Sequence, residues 1–235
     1  MGMAVTLQAP TPGATEATAR GLAVFDLDRT VVAGSSLSLY GRAVASAGLV
    51  RRSEVVRHLL AEASFARRGE RAATVERLCA RLLRMSEGLD VAPLLDVADA
   101  TAPVIAARAY PAARMLIDQH HRLGDIVVVL SASPGPLLRA LAPFLGADAT
   151  VGTEPEVVGG RLTGQLASEF CHGAAKLRRL REELPALDIR FASVYADSGS
   201  DVPLLQAAGR PVAVNPDRRL RSVARASGWP VIALQ

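Results

Sequence analysis

The sequence contains little cysteine and no long apolar segment. Cys79 and Cys171 are the only cysteines among 235 residues, which is too few for a disulfide framework, and they do not have the spacing of a zinc site. No run of about 18 apolar residues occurs, so we expect no membrane span. The first residues lack the basic and apolar regions of a secretory signal. We therefore expect a cytoplasmic protein whose residues 1–19 form a mobile tail.

Lysine is almost absent from an otherwise basic chain. The sequence has 27 basic residues and a formal net charge of +4, but only Lys176 is a lysine. Acidic residues are interspersed with the arginines, as in REELPALDIR, and no basic block contains aromatics, so we expect no nucleic-acid partner. A lone compact ammonium in such a chain indicates a position that a planar guanidinium does not suit.

Short apolar runs alternate with helical patterns at both ends of the chain. The runs are continuous, which is typical of strands buried on both faces, and the alternation predicts an α/β fold with a doubly wound parallel sheet. Between Gly34 and Tyr110 the strand signal disappears, and apolar residues recur at helical spacing. We therefore predict a core of residues 20–33 and 111–235 with an inserted α-helical cap of residues 34–110. The predicted strands are 22–25, 126–130, 149–152, 191–195, 211–214 and 231–234.

The stretch FDLDRT follows the first predicted strand and contains two carboxylates. On a strand, residues i and i+2 point the same way, so Asp26 and Asp28 are expected to be neighbours at the edge of a core. Two carboxylates in such a place repel each other and lose hydration. Either one of them is protonated or a cation lies between them.

Other polar residues follow the remaining predicted strands. Ser131 and Ser133 follow the second strand, Asp197 to Asp201 follow the strand at 191–195, and Lys176 opens a helix. In an open α/β sheet, ligands bind beyond the carboxyl ends of the strands. Carboxylates with a serine and a lysine provide oxygen ligands for Mg²⁺, and donors with positive charge for phosphate.

These residues resemble the four motifs of the haloacid dehalogenase-like hydrolases. FDLDRT, the Ser131 turn, Lys176 and DSGSD occur in the order of that family, and the stretch from DSGSD to GWPV resembles its subfamily IB, which includes phosphoserine phosphatase-like enzymes. The resemblance covers nearly the whole chain from Gly21. It implies a phosphatase that hydrolyses a small-molecule phosphate ester.

The resemblance also implies roles for individual residues. Asp26 would be the nucleophile that becomes an aspartyl-phosphate, and Asp28 the acid and base. Mg²⁺ would be held by the Asp26 carboxylate, the backbone carbonyl of Asp28, and Asp197. Phosphate would bind to Ser131, to backbone near Ala132 and to Lys176. Asp201 would not contact the metal or the phosphate directly but would orient metal-bound water or Lys176, and Ser198 would lie beside it.

Several alternatives stay open on the sequence alone. Asp197 and Asp201 are also compatible with an Asx turn and a helix cap, and Ser131 and Ser133 with capping of the next helix. A catalytically silent phospho-ligand binding protein would share the scaffold, although Asp26 and Asp28 are intact. A phosphonatase mechanism is excluded because the insert contains no lysine.

The substrate is less constrained than the reaction. Phosphoserine phosphatases carry a glutamate shortly after the first motif, where this chain has Ser35. A neutral hydroxyl does not replace a carboxylate that pairs with an ammonium. We therefore expect L-phosphoserine to be a poor substrate, with histidinol phosphate as one alternative.

Overall fold

The computed structural model describes residues 21–50 and 72–234, with only the backbone of 72–78. The predicted N-terminal tail therefore lies outside the described residues. Eight strands are present: β1 (Leu22–Phe25), β2 (Ile126–Pro134), β3 (Ala149–Thr153), β4 (Pro155–Val158), β5 (Arg161–Leu166), β6 (Ala192–Ala196), β7 (Arg210–Val214) and β8 (Val231–Ile232). Eight α-helices are described: α1 (Ser36–Ser46), α2 (Ala72–Ser86), α3 (Val91–Ala106), α4 (Pro111–Arg122), α5 (Gly135–Leu145), α6 (Ala174–Glu183), α7 (Val202–Ala207) and α8 (Arg218–Ser227).

Six strands form one parallel sheet in the order β3-β2-β1-β6-β7-β8. All four residues of β1 are buried and contribute alternately to two apolar clusters, one on each face. Ala113 of α4 and Leu141 of α5 belong to the cluster that contains Phe25, whereas Leu180 of α6 and Leu220 of α8 belong to the other. Helices on both faces explain the continuous apolar strands. The predicted doubly wound α/β fold is confirmed.

Four of the described helices lie between β1 and β2 in the chain, and the first three, α1 to α3, fall within the predicted insert. Ala98, Ala102 and Ile105 of α3 join the apolar cluster of the α4 face, so the insert is anchored on the core. The insert contains helices and no extended strand among its described residues, as its periodicity predicted. Its boundaries at residues 34 and 110 stay a prediction.

The sequence prediction was wrong in one region, because it placed no strand between residues 152 and 191. Strands β4 and β5 form a separate antiparallel hairpin there. Gly159 and Gly160 turn between them with φ values of 58° and 78°, a left-handed conformation that glycine adopts easily. Two glycines between short extended runs are a hairpin signal. The hairpin packs against α2 and the start of α3.

Five of the six predicted strands also differ in their bounds from the observed ones, most of all β2 and β8. Strand β2 extends to Pro134, so Ser131 lies within the strand that was expected to end before it, and β8 ends at Ile232. Among the described residues, no helix is both long enough and apolar enough to cross a bilayer.

Candidate active site

The carboxylates of Asp26, Asp197 and Asp201 meet at the carboxyl edge of the sheet. Asp26 follows β1 and donates its backbone N–H to the carbonyl of Tyr195 on β6 (2.9 Å), which fixes the end of one strand against the next. One carboxylate oxygen from each of the three residues lies within 4.8 Å of the others. Their exposed fractions are 6%, 3% and 1%. Three carboxyl groups are therefore concentrated in a site that water barely reaches.

Lys176, at the start of α6, neutralises part of this charge. Its Nζ lies 2.6 Å from Asp26 Oδ1 and 2.9 Å from Asp201 Oδ1. Burial opposes the charged form of the amine, but the charges of Asp201 and Asp26 outweigh burial and hold the pKa of Lys176 above its usual range. The side chain is only 3% exposed. A compact ammonium thus bridges two carboxylates, an arrangement that suits lysine's point charge.

Asp197 is paired with Arg29, whereas Asp26 and Asp201 are paired with Lys176. Burial, reinforced by the neighbouring charge of Asp26, raises the pKa of the Asp197 carboxyl to about 8. The guanidinium of Arg29, with Nε 2.7 Å from Asp197 Oδ2, acts in the opposite direction. Oxygen donors with excess negative charge are the ligands that Mg²⁺ prefers. The chemistry of this cluster therefore fits a hard divalent cation.

Asp28 is not one of the three residues whose carboxylate oxygens lie within 4.8 Å of one another. Its Oδ1 accepts the backbone N–H of Ser36 (2.9 Å), the first residue of α1. Its carboxylate is thus directed toward the insert, whereas Asp26 is directed toward Lys176. The prediction gave Asp28 a different role from Asp26, and the structure gives the two side chains different surroundings.

Ser131 and Ala132 lie near the end of β2, beside the cluster in the sheet order. The hydroxyl oxygen of Ser131 accepts the backbone N–H of Ser133 (3.2 Å), so its own proton can be donated to another group. The carbonyl of Ala132 accepts a hydrogen bond from Thr153 on β3 (2.7 Å). Gly152 permits this packing, because a Cβ there would lie 2.9 Å from the Ser133 carbonyl.

The loop of Ser198 to Asp201 is shaped by local hydrogen bonds. Ser198 Oγ accepts the N–H of Ser200 (3.2 Å), and Asp217 accepts the N–H of Gly199 (2.9 Å) at the start of α8. Asp217 also donates its own backbone N–H to the carbonyl of Asp197 (2.9 Å). Ser198 therefore caps this turn, whereas Asp197 and Asp201, for which an Asx turn and a helix cap were the alternatives, join the acidic cluster.

Sequence reasoning missed two residues at this site, Arg29 and Ser36. Arg29 has a left-handed backbone (φ 61°), and its carbonyl accepts a hydrogen bond from the Asn215 side chain (3.0 Å). The position of Arg29 directly after Asp28 in the chain could have indicated that its side chain lies at this site. Ser36 offered none, because its contact with Ser133 joins residues 97 positions apart.

A parallel sheet with three carboxyl groups, a buried ammonium and a donor hydroxyl at its carboxyl edge is the arrangement of an α/β enzyme, and its carboxyl groups could hold a cation. A family model described as haloacid dehalogenase-like hydrolase matches residues 23–206. The chain belongs to this family, as its four motifs indicated, and it is a hydrolase.

Relatives and a solved structure agree with this membership. The chain is 36% identical over 218 residues to an inhibition of morphological differentiation protein of Streptomyces azureus, covering 91% of this chain and 78% of that protein. It is 35% identical over 213 residues to a phosphoserine phosphatase of Mycobacterium tuberculosis, covering 89% and 69%. A Bordetella pertussis protein of unknown function has the same fold, with a TM-score of 0.79, 28% identity, and coverage of 92% and 99%.

Proposed function

We propose that the protein is a Mg²⁺-dependent phosphomonoesterase acting on a small-molecule phosphate ester through an aspartyl-phosphate. The observation that carries the proposal is the Nζ of Lys176 between Asp26 and Asp201, inside a cluster of three buried carboxylates. An anionic nucleophile and an anionic substrate require compensating positive charge to approach each other. The phosphatase relative supports this reaction class.

In this proposal Asp26 attacks phosphorus and Lys176 neutralises charge on the nucleophile and the phosphoryl group. Asp26, Asp197 and the backbone carbonyl of Asp28 would hold Mg²⁺, which when bound offsets the charge of the phosphoryl oxygens. The Ser131 hydroxyl donates a hydrogen bond to a phosphoryl oxygen, and the backbone near Ala132 completes the phosphate site. Asp201 orients Lys176 through its 2.9 Å contact.

Asp28 transfers protons in both steps. It protonates the leaving alcohol while the phosphoryl group moves to Asp26, and then deprotonates the water that hydrolyses the aspartyl-phosphate. A separate environment for Asp28, outside the acidic cluster, supports a role distinct from that of the nucleophile.

The substrate proposal rests on Ser35. Its hydroxyl caps α1 by accepting the N–H of Ser38 (3.2 Å), and a serine supplies no carboxylate for a substrate amine. We propose that L-phosphoserine is a poor substrate and that a different small phosphate monoester is preferred. Histidinol phosphate is one candidate, because the subfamily that the motifs resemble includes enzymes that act on it. The Mycobacterium tuberculosis relative is named a phosphoserine phosphatase, which favours phosphoserine as the substrate. Phosphoserine and histidinol phosphate should therefore be compared in one assay.

The experiment measures phosphate release from a panel of phosphate monoesters with Mg²⁺ and with EDTA. We expect turnover with Mg²⁺, loss of activity with EDTA, and inhibition by beryllium fluoride as a mimic of the aspartyl-phosphate. A kcat/KM that favours phosphoserine would refute the substrate proposal alone. No turnover of any ester, together with binding of phosphate ligands, would favour a catalytically silent binding protein.

We also propose a cytoplasmic location, because the free Cys79 and Cys171 suit a reducing compartment.

A further inference from the structure

Ser36, which the four motifs do not include, contacts two parts of the candidate active site. It is the first residue of α1 and is completely buried. Its backbone N–H donates to Asp28 Oδ1 (2.9 Å), and its hydroxyl lies 2.7 Å from the hydroxyl of Ser133. One residue thus touches both the proposed acid and base and the strand that carries Ser131.

Ser133 continues the connection toward the phosphate site. It is 2% exposed, and its backbone N–H donates to Ser131 Oγ (3.2 Å). Hydrogen bonds therefore run from Asp28 through Ser36 and Ser133 to Ser131. Buried hydrogen bonds with no water to replace them hold their partners in fixed relative positions.

We propose that Ser36 is a positioning residue that holds Asp28 in register with the phosphate site. This inference rests on the proposed phosphatase function. The Ser36–Ser133 hydroxyl contact fixes the first turn of α1, and that turn presents the N–H that orients the Asp28 carboxyl. Without the contact, the start of α1 can shift relative to β2, and Asp28 shifts with it.

The proposed proton transfers use the Asp28 carboxyl that this contact orients. A proton passes from the carboxyl to the ester oxygen as the bond between that oxygen and phosphorus breaks. A proton returns to the carboxyl from the water whose oxygen attacks the phosphoryl group as the bond between phosphorus and Asp26 breaks.

A test compares two substrates in Ser36→Ala. p-Nitrophenyl phosphate releases a phenolate that needs little protonation, whereas an alkyl ester such as 2-glycerophosphate releases an alkoxide that needs a proton. General acid catalysis contributes about 10²–10⁴-fold, and a displacement of about 1 Å has large effects on rate. Because both esters form the same aspartyl-phosphate, the comparison uses kcat/KM, which reports the step that releases the alcohol. We expect kcat/KM for the alkyl ester to fall about 10-fold or more, and kcat/KM for p-nitrophenyl phosphate to fall less than about 3-fold.

The control variant is Ser193→Ala, which removes another buried serine hydroxyl. Ser193 lies on β6 and accepts a hydrogen bond from Arg210 (2.9 Å), away from Asp28. We expect Ser193→Ala to lower thermal stability without changing the ratio of the two kcat/KM values. A parallel fall of both kcat/KM values in Ser36→Ala, or no fall in either, would overturn the inference.

A double-mutant cycle provides a second route. Ser133→Ala breaks the same contact from the other side, which keeps the inference testable even if Ser36→Ala fails to fold. We expect Ser133→Ala to shift the substrate ratio in the same direction, and the double variant to lose little more than either single one. Additive losses would contradict a shared contact. A wild-type protein inactive on both esters would refute the proposed function, whereas an active wild type with an unchanged ratio would refute only the role of Ser36.

Discussion

Two groups of buried polar side chains lie close to β1, and they differ in how well the chain satisfies them. At the carboxyl edge, the three carboxyl groups of Asp26, Asp197 and Asp201 face two cations, Lys176 and Arg29. On the α4 face, His120 Nδ1 lies 2.6 Å from Asp125 and its Nε2 lies 2.9 Å from the Tyr195 hydroxyl.

The difference in how well their polar atoms are paired distinguishes a binding site, the acidic group, from a structural group, that of His120. The His120 group has partners for both ring nitrogens, and Phe25 stacks on the Tyr195 ring at 4.5 Å. Such a group contributes to stability and needs no ligand. The acidic group is left with excess negative charge, which favours a bound cation. We therefore expect changes in the acidic group to affect rate, and changes in the His120 group to affect stability.

The largest expected effect is that of Asp26→Asn. An amide keeps the volume of the carboxylate but does not attack phosphorus, so activity should fall by about 10³-fold or more while the fold is retained. Phosphate release and circular dichroism measure the two properties. Asp118→Asn, an exposed change on α4, should leave both unchanged. Substantial turnover by Asp26→Asn would assign the nucleophile elsewhere.

A second change tests whether the acidic group requires a compact cation. Lys176→Arg keeps the charge but places a planar guanidinium between Asp26 and Asp201, and we expect kcat to fall about 10²-fold. Arg178→Lys is the matched control, because Arg178 is an exposed residue of the same helix paired with Glu169. Retention of most activity in Lys176→Arg would show that any positive charge suffices.

A third prediction concerns the stability of the metal-free protein. The pKa of Asp197 is about 8 in the folded state and near its ordinary value of 3.8 when unfolded, so the folded state binds more protons between these values. Thermal unfolding in EDTA should therefore show Tm falling as pH rises from about 4 to about 8.

Two comparisons isolate this effect. Asp197→Asn should show a shallower fall in Tm over the same pH range, and Mg²⁺ should raise Tm of the wild type at pH 8 by binding the folded state. An Asp197→Asn profile that parallels the wild type would contradict the assignment of the slope to Asp197.

The smallest effect on rate is expected from Tyr195→Phe. The substitution leaves His120 Nε2 without its partner and should lower the free energy of unfolding by about 1–3 kcal/mol. Because the hydroxyl belongs to the satisfied group, kcat should stay within about 3-fold of wild type. Denaturant unfolding and steady-state kinetics check these results. A fall in kcat of more than about 3-fold would contradict the distinction between the two groups.

Sequence patterns predicted the parts of the molecule that are set by local order. Continuous apolar strands predicted the parallel sheet, and polar residues after successive strands predicted that Asp26, Lys176 and Asp197 meet at one edge. The β4–β5 hairpin was missed even though Gly159 and Gly160 marked its turn. The Ser36–Ser133 contact depends on how α1 packs against β2, and no local pattern encodes that packing.

The hairpin determines which segments could be exchanged between relatives. Its Leu162 exchanges backbone hydrogen bonds with Gly88 and Leu89 (2.8 and 2.9 Å), and the N–H of Val91 donates to the Gly160 carbonyl (2.9 Å). Arg161 adds contacts to the Gly88 carbonyl (2.7 Å) and to Asp90 (3.1 Å). A chimera that imports only residues 34–110 would lose these partners, whereas one that also imports residues 154–167 would keep them. The modular unit for grafting is therefore a pair of segments separated by more than 40 residues of core.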